Sequence, residues 1–346
     1  MAAKHIRESN FELLRIIAML MIVFYHMLYQ IVYGITNIAL YKALWFPLHI
    51  GVILFVLISG FFSIRASISG FINLCVKIFV LTVPLEFISI YLYSGDIPKA
   101  FSSLFILSNS PFWYVRMYVC LYLISPILNA FLNKASEKER MASLLVLGYI
   151  SCIYGTISVD HLFVDSDGKN LINFILIYFI GNTLHFYRET FKHISKVILF
   201  AAFIGLNIVL VVSYLCLYDS WANPYVFKLG YSYNSPIVIL NAVLFFVISL
   251  RWNFKSQVIN GIAKSVFSVY LIQESPFILW SCIAPLIGRL VSVSFEPVFL
   301  LPSLLIFTIV LFSICIIVDR LCNPIWKRAK EFGNKLELKI EKYERH

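Results

Sequence analysis

Apolar runs of about 20 residues recur along almost the whole of this 346-residue sequence, each long enough to cross ~30 Å of hydrocarbon as a helix. No other feature limits the fold so tightly. A segment in lipid must satisfy its backbone N–H and C=O groups internally, and for runs of this length that means α-helix. Composition agrees: 60% of residues are apolar and only 13% are charged, outside the range of a water-soluble domain. The expected fold is an all-α, polytopic membrane bundle with spans near 11–33, 44–64, 70–94, 111–133, 141–157, 170–187, 194–216, 233–250, 262–287 and 297–320. The polar start MAAKHIRESN runs into its apolar segment without a small-residue cleavage site, so the first span reads as retained and not as a removed signal peptide.

A net charge of +10 would suit a nucleic-acid partner, but its distribution suits a membrane. With the N-terminus inside, the internal segments hold Lys4, Arg7, Arg65, Lys134, Lys138, Arg140, Arg188, Lys192, Lys196, Arg251, Lys255, Lys264 and the basic tail from Arg320. The external segments hold Lys42, Lys99, Lys169, Lys228 and Arg289, beside Asp96, Asp160, Asp165 and Asp167. Positive residues mark the cytoplasmic side, so about ten spans with both termini cytoplasmic are expected, and no nucleic-acid partner. One membrane domain covers 1–322, followed by a basic tail over 323–346. In the tail Phe332, Leu336, Ile340 and Tyr343 recur at helical spacing, which fits an amphipathic helix on the inner leaflet as well as a solvated basic tail. The seven cysteines lie singly, without the spacing of a zinc site or a disulfide framework. The sequence carries no P-loop, HExxH or GxSxG.

Arg15, Lys77 and Arg116 fit neither charge tally because they lie inside spans, where a central charge costs roughly 2.5–3.5 kcal/mol and faces a bundle interior or wet cavity. In FELLRIIAMLMIVFYH, eleven residues separate Arg15 from His26, three helical turns to within about 20°, so both project from one face. They stand roughly 16 Å apart along the axis, about half the hydrocarbon thickness. Glu12 shares the stripe, three residues before Arg15, and can pair with it. Lys77 and Arg65 extend an inner cationic level, although Lys77 can also snorkel. An outer level holds His26, Arg116, Tyr270, Gln273 and Glu274, with Ser275-Pro276 placed to kink the helix. Trp113 and Tyr114 suit an interfacial aromatic belt, and His49 reads as an interfacial histidine. This layout suits an anionic donor entering from the cytoplasm and a hydroxyl acceptor met further out.

These residues resemble the membrane-bound acyltransferase 3 family. Its Arg/Lys-x10-His signature is present as Arg15 and His26, its GV-x-LF-x-LSG-F pattern is similar to GVILFVLISGFF with Ser59 and Gly60, and WYVRMYVCLYLISPILN and FSVYLIQE look like two later family segments. The sequence departs from the pattern at Gln273, where many members have His, and at Lys77, which stands where members are Arg-rich.

The resemblance implies a multi-pass enzyme of the plasma membrane of a bacterial cell, with no bound cofactor. Its co-substrate is cytoplasmic acyl-CoA, usually acetyl-CoA, and its acceptor is a hydroxyl of an exopolysaccharide, capsule or other envelope glycan, or a lipid-linked precursor. On that chemistry His26 is the general base, with an acyl-His26 intermediate as an open variant, Arg15 with Glu12 balances the donor's phosphate-bearing end, and Arg116 or Gln273 holds the sugar or the oxyanion. Trp113, Tyr114, Tyr270 and Glu274 complete the acceptor side, and Lys77 and Arg65 the donor side. A transporter or flippase for a lipid-linked sugar or small solute fits the same layout, as does a membrane module that binds an envelope ligand without chemistry.

Overall fold

The computed structural model describes residues 7–32, 38–94, 112–155, 167–293 and 296–343. Lys4, Asp96, Lys99, Asp160 and Asp165 of the charge tally lie outside the described residues. Among the described residues there is no strand. The principal helices are α1 (Ser9–Val32), α2 (Ile50–Phe62), α3 (Ile68–Ser94), α4 (Trp113–Lys134), α5 (Leu171–Phe186), α6 (Lys196–Cys216), α7 (Pro236–Ser249), α8 (Val266–Gln273), α9 (Pro297–Leu321) and α10 (Asn323–Tyr343). Helix starts are written in the sequence: Asn170 before α5 and Ser256 before the short helix Gln257–Ala263 each accept the backbone N–H three residues on, and Ser235 precedes Pro236 in the first turn of α7.

Over their described residues all ten apolar runs fall on helical segments, but not all as straight spans. Among the described residues seven helices are long and apolar enough to cross a membrane, with shorter helices merging into two of them, Ala39–Phe62 and Asn223–Ser249. The run at 262–287 is instead a broken pair, Gln257–Gln273 and Phe277–Val293, bent by 77° where Ser275-Pro276 interrupts the ladder. The run at 170–187 is the shorter apolar helix α5, and 141–157 falls on Glu137–Gly148 continued by a π-helical turn, Tyr149–Tyr154.

The described chain divides into two compact units. The first comprises residues 1–64 and 127–264. Its centre is apolar and aromatic: the rings of Phe11, Phe61 and Phe246 meet at 4.8–5.6 Å. Helices α2 and α5 approach backbone to backbone there. A Cβ at Gly60 would strike the backbone of Tyr178, and one at Gly181 the backbone of Leu57 and Phe61. Small residues allow such contact where apolar burial alone gives membrane helices little attraction. Gly181→Val is therefore expected to lower stability by about 1–3 kcal/mol, through overpacking against atoms that cannot rotate away, as read by thermal unfolding in detergent. Tyr178 locks the end of α2, its hydroxyl donating to Asn129 Oδ1 (2.6 Å) and accepting from Ile64 N–H (2.9 Å). Arg140, counted among the loop charges, is buried: it donates to Leu132 O at 2.9 Å and to Asn182 Oδ1, with its guanidinium 5.0 Å from the Phe186 ring centroid.

The two ends of this unit differ in character. At the start of α1, Arg7 to Asn10 lie beside Arg188, Lys192 and the segment 250–255. Further along α1, Tyr25 meets Trp45, His49 and Tyr231, and Asp167 O accepts from Tyr233 N–H at 2.9 Å. Arg188, Lys192, Arg251 and Lys255, assigned inside, thus lie by the start of α1, and Asp167, assigned outside, binds the segment that carries Tyr231 and Tyr233.

The second unit comprises residues 65–126 and 265–346. The tail expected as an inner-leaflet or solvated segment is the helix α10, packed along α3: Ser69 Oγ donates to Lys330 O at 3.3 Å, Gly333 sits against Ser69, and Trp326 is buried. Phe332, Leu336, Ile340 and Tyr343 remain exposed. At the other end of α3's entry turn, Tyr122 Oη accepts from Ser67 N–H at 3.0 Å and donates to Ser67 O at 3.1 Å.

Candidate active site

In the first unit the stripe on α1 has the pairing its spacing requires. Arg15 Nη1 lies 2.5 Å from Glu12 Oε1, and Arg7 Nη1 lies 3.3 Å from the other carboxylate oxygen, with Glu12 itself buried. Two guanidinium groups on one carboxylate leave a net positive charge. Arg15 has five N–H donors, and Glu12 takes one of them at Nη1. The Glu12 pairing holds that surplus at the N-terminal end of the α1 face.

Eleven residues along the same face, His26 is half-buried and adjoins an aromatic cluster. His49 is at its centre. It is 3% exposed, and its ring lies 4.6 Å from Tyr25, 4.1 Å from Tyr231 and 5.2 Å from Tyr233. His49 Nδ1 faces Trp45 O at 3.3 Å. A carbonyl only accepts, so this contact assigns the proton to Nδ1 and leaves Nε2 the acceptor. The interfacial reading of His49 gives way to a buried one, because Tyr25 of α1 and Tyr231 and Tyr233 from far along the chain enclose it. Tyr25 and Tyr231 share a hydroxyl contact at 3.2 Å beside it. Two imidazoles, one partly open and one enclosed, with tyrosine hydroxyls between segments, form an arrangement able to accept and pass on a proton.

The other candidate residues belong to the second unit. Tyr114 is buried with its ring 5.2 Å from Tyr270 and stacked at 5.9 Å on Tyr118, so it packs inside its unit and is not an outward-facing belt residue. Trp113 meets Tyr114 edge-on at 6.2 Å. Gln273 is 0% exposed and donates to Glu274 Oε2 at 3.3 Å, immediately before the 77° break. Arg116 has a buried Nε without a hydrogen-bond partner, as does the Ser275 hydroxyl at the break. Arg65 is exposed.

Lys77 is engaged. Its Nζ lies 3.3 Å from Asp319 Oδ1 and 3.4 Å from Ser268 Oγ, above the Trp326 ring at 5.1 Å. Asp319 was not singled out from the sequence, although it is the only acid within the last apolar run, which is the signal that marks it. Glu86 was also missed: it is buried in α3, and its Oε1 has no hydrogen-bond partner. Tyr25, Tyr231 and Tyr233 carried no signal, since tyrosines abound in this chain and only the fold gathers these three.

The family model for the acyltransferase 3 acyltransferase domain matches residues 8–320, from the start of α1 to the end of α9. No curated protein and no solved structure matches the chain. That span takes in the α1 stripe, the His49 cluster and the Tyr114–Gln273 group together. The chain belongs to the acyltransferase 3 family and is a multi-pass membrane acyltransferase.

Proposed function

We propose that the protein O-acetylates an envelope glycan, such as an exopolysaccharide, a capsule or a lipid-linked precursor, in the plasma membrane of a bacterial cell, using cytoplasmic acetyl-CoA. The observation that carries this reading is the α1 face, with a surplus-positive Arg7–Glu12–Arg15 group at one end and a half-buried imidazole among proton-carrying groups further along. His26 takes the proton as the acceptor hydroxyl attacks the thioester carbonyl, and the thiolate of the donor leaves. His49 holds the aromatic wall beside it in one tautomer. In the second unit the half-buried Trp113, Arg116 and Glu274 are the side chains offered to the sugar, backed by the buried Tyr114 against Trp113 and the buried Gln273 on Glu274, with Tyr270 packed on Tyr114. Family membership favours transfer over the transporter reading.

The test is reconstitution of purified protein with acetyl-CoA and envelope glycan. The expected result is acceptor-dependent release of free CoA and an acetyl mass increment on the glycan. If neither CoA release nor the increment is seen with correctly inserted protein, the donor and acceptor assignments fall.

A further inference from the structure

Five of the cations counted as a topological signal in the first unit surround one pocket of about 490 Å³. It is lined by Arg7, Arg188, Lys192, Arg251 and Lys255, with Glu8 the single carboxylate among its described lining residues. Glu8 is already held by Arg188, at 2.6 and 3.3 Å. Its charge offsets one of five. Two guanidinium nitrogens, Arg188 Nε and Arg251 Nη1, are buried without a hydrogen-bond partner. Buried donors are almost always paired, so orphans on two separate segments point to an anionic ligand that completes them. A volume of about 490 Å³ lies within the roughly 300–1,000 Å³ of small-molecule sites.

The pocket is also wired to the α1 stripe. Arg7 lines it and shares Glu12 with Arg15. An anion seated here lies at the head of the face that leads to His26.

We infer that this pocket binds the phosphate groups of the donor's nucleotide end, with Arg188 and Arg251 as the principal hydrogen-bonding residues and Arg7, Lys192 and Lys255 supplying charge. The inference rests on the acyl-CoA reading above and gives that reading a site made of residues other than Lys77 and Arg65. Lys77 has its counter-ion in Asp319, whereas the pocket's cations outnumber its carboxylate.

The probe is coenzyme A, titrated calorimetrically into the purified full-length protein in phosphatidylcholine nanodiscs. Saturable binding is expected, with displacement by adenosine 3′,5′-bisphosphate but not by pantetheine, and weakening as salt is raised. Arg251→Gln and, separately, the exposed Lys255→Gln are expected to weaken it, the former by about tenfold or more, as loss of a charge-assisted hydrogen bond does. Lys255 is at the surface, so its variant tests the charge term without endangering the fold. If coenzyme A binds wild type and both variants equally, the donor reading stands and this pocket is not its site. Absence of any binding to wild type overturns the donor reading and this inference with it. Loss of coenzyme A binding when phosphatidylglycerol is added at constant ionic strength makes the pocket a lipid-headgroup site and overturns the nucleotide assignment.

Discussion

His26→Ala protein, inserted in the membrane at the wild-type level, is expected to lose acyl transfer by about 10²–10⁴-fold, the usual worth of a positioned general base. The loss belongs in kcat, because the imidazole acts on the proton that moves in the transition state and not on groups that bind the ground state. Thermal unfolding of the variant separates a catalytic loss from a structural one, since His26 is half-buried with its ring tilted against Tyr25 at 5.2 Å. Tyr231→Phe provides the graded comparison. It removes the hydroxyl 3.2 Å from Tyr25 and keeps the ring on His49, so it should slow transfer by less than the histidine change. Single-turnover release of CoA in the presence of acceptor is the measurement. Undiminished transfer by well-inserted His26→Ala protein would remove His26 from the mechanism and leave the Arg7–Glu12–Arg15 group without its partner on α1.

Helix placement was legible in the sequence because lipid leaves the backbone no alternative, and α1 was legible down to its pairing. Glu12 and Arg15 are three residues apart on one helix, so their contact is local and follows from helical geometry alone. The bend at Ser275-Pro276 is likewise a local event with a local cause. What the sequence could not supply is every relation made by packing. His49 is drawn into an aromatic enclosure by Tyr231 and Tyr233, which lie far along the chain and carry no spacing signal toward it. Arg188 and Arg251 read as ordinary loop cations until the fold sets them around one pocket. Lys77 is the clearest instance, since a lysine seen alone in a span is a candidate for an anionic ligand, and its actual neighbour lies 242 positions away.

That neighbour makes the second large effect. Asp319 is 3% exposed and accepts from three side chains of the second unit: Ser268 Oγ at 2.5 Å, Trp326 Nε1 at 3.1 Å and Lys77 Nζ at 3.3 Å. The carboxylate therefore joins α3, α8, α9 and the start of α10. Asp319→Ala strands the ammonium of Lys77, whose side chain is 15% exposed, and takes the carboxylate from the Ser268 hydroxyl, while Trp326 Nε1 keeps the backbone carbonyl of residue 319 at 3.1 Å. Breaking a buried pair from one side costs about 3–5 kcal/mol, because the remaining charge has lost its solvation as well as its partner. Thermal unfolding of the purified protein should register that loss. Lys77→Met should cost less, since Asp319 keeps the Ser268 and Trp326 donors. Combining Lys77→Met with Asp319→Leu should recover much of the stability lost by Asp319→Ala, as apolar replacement of both partners removes the desolvation penalty along with the attraction. If Asp319→Ala melts like wild type, the ion pair does not hold these helices. Lys77 then returns to the donor-binding role that its position in the span first suggested.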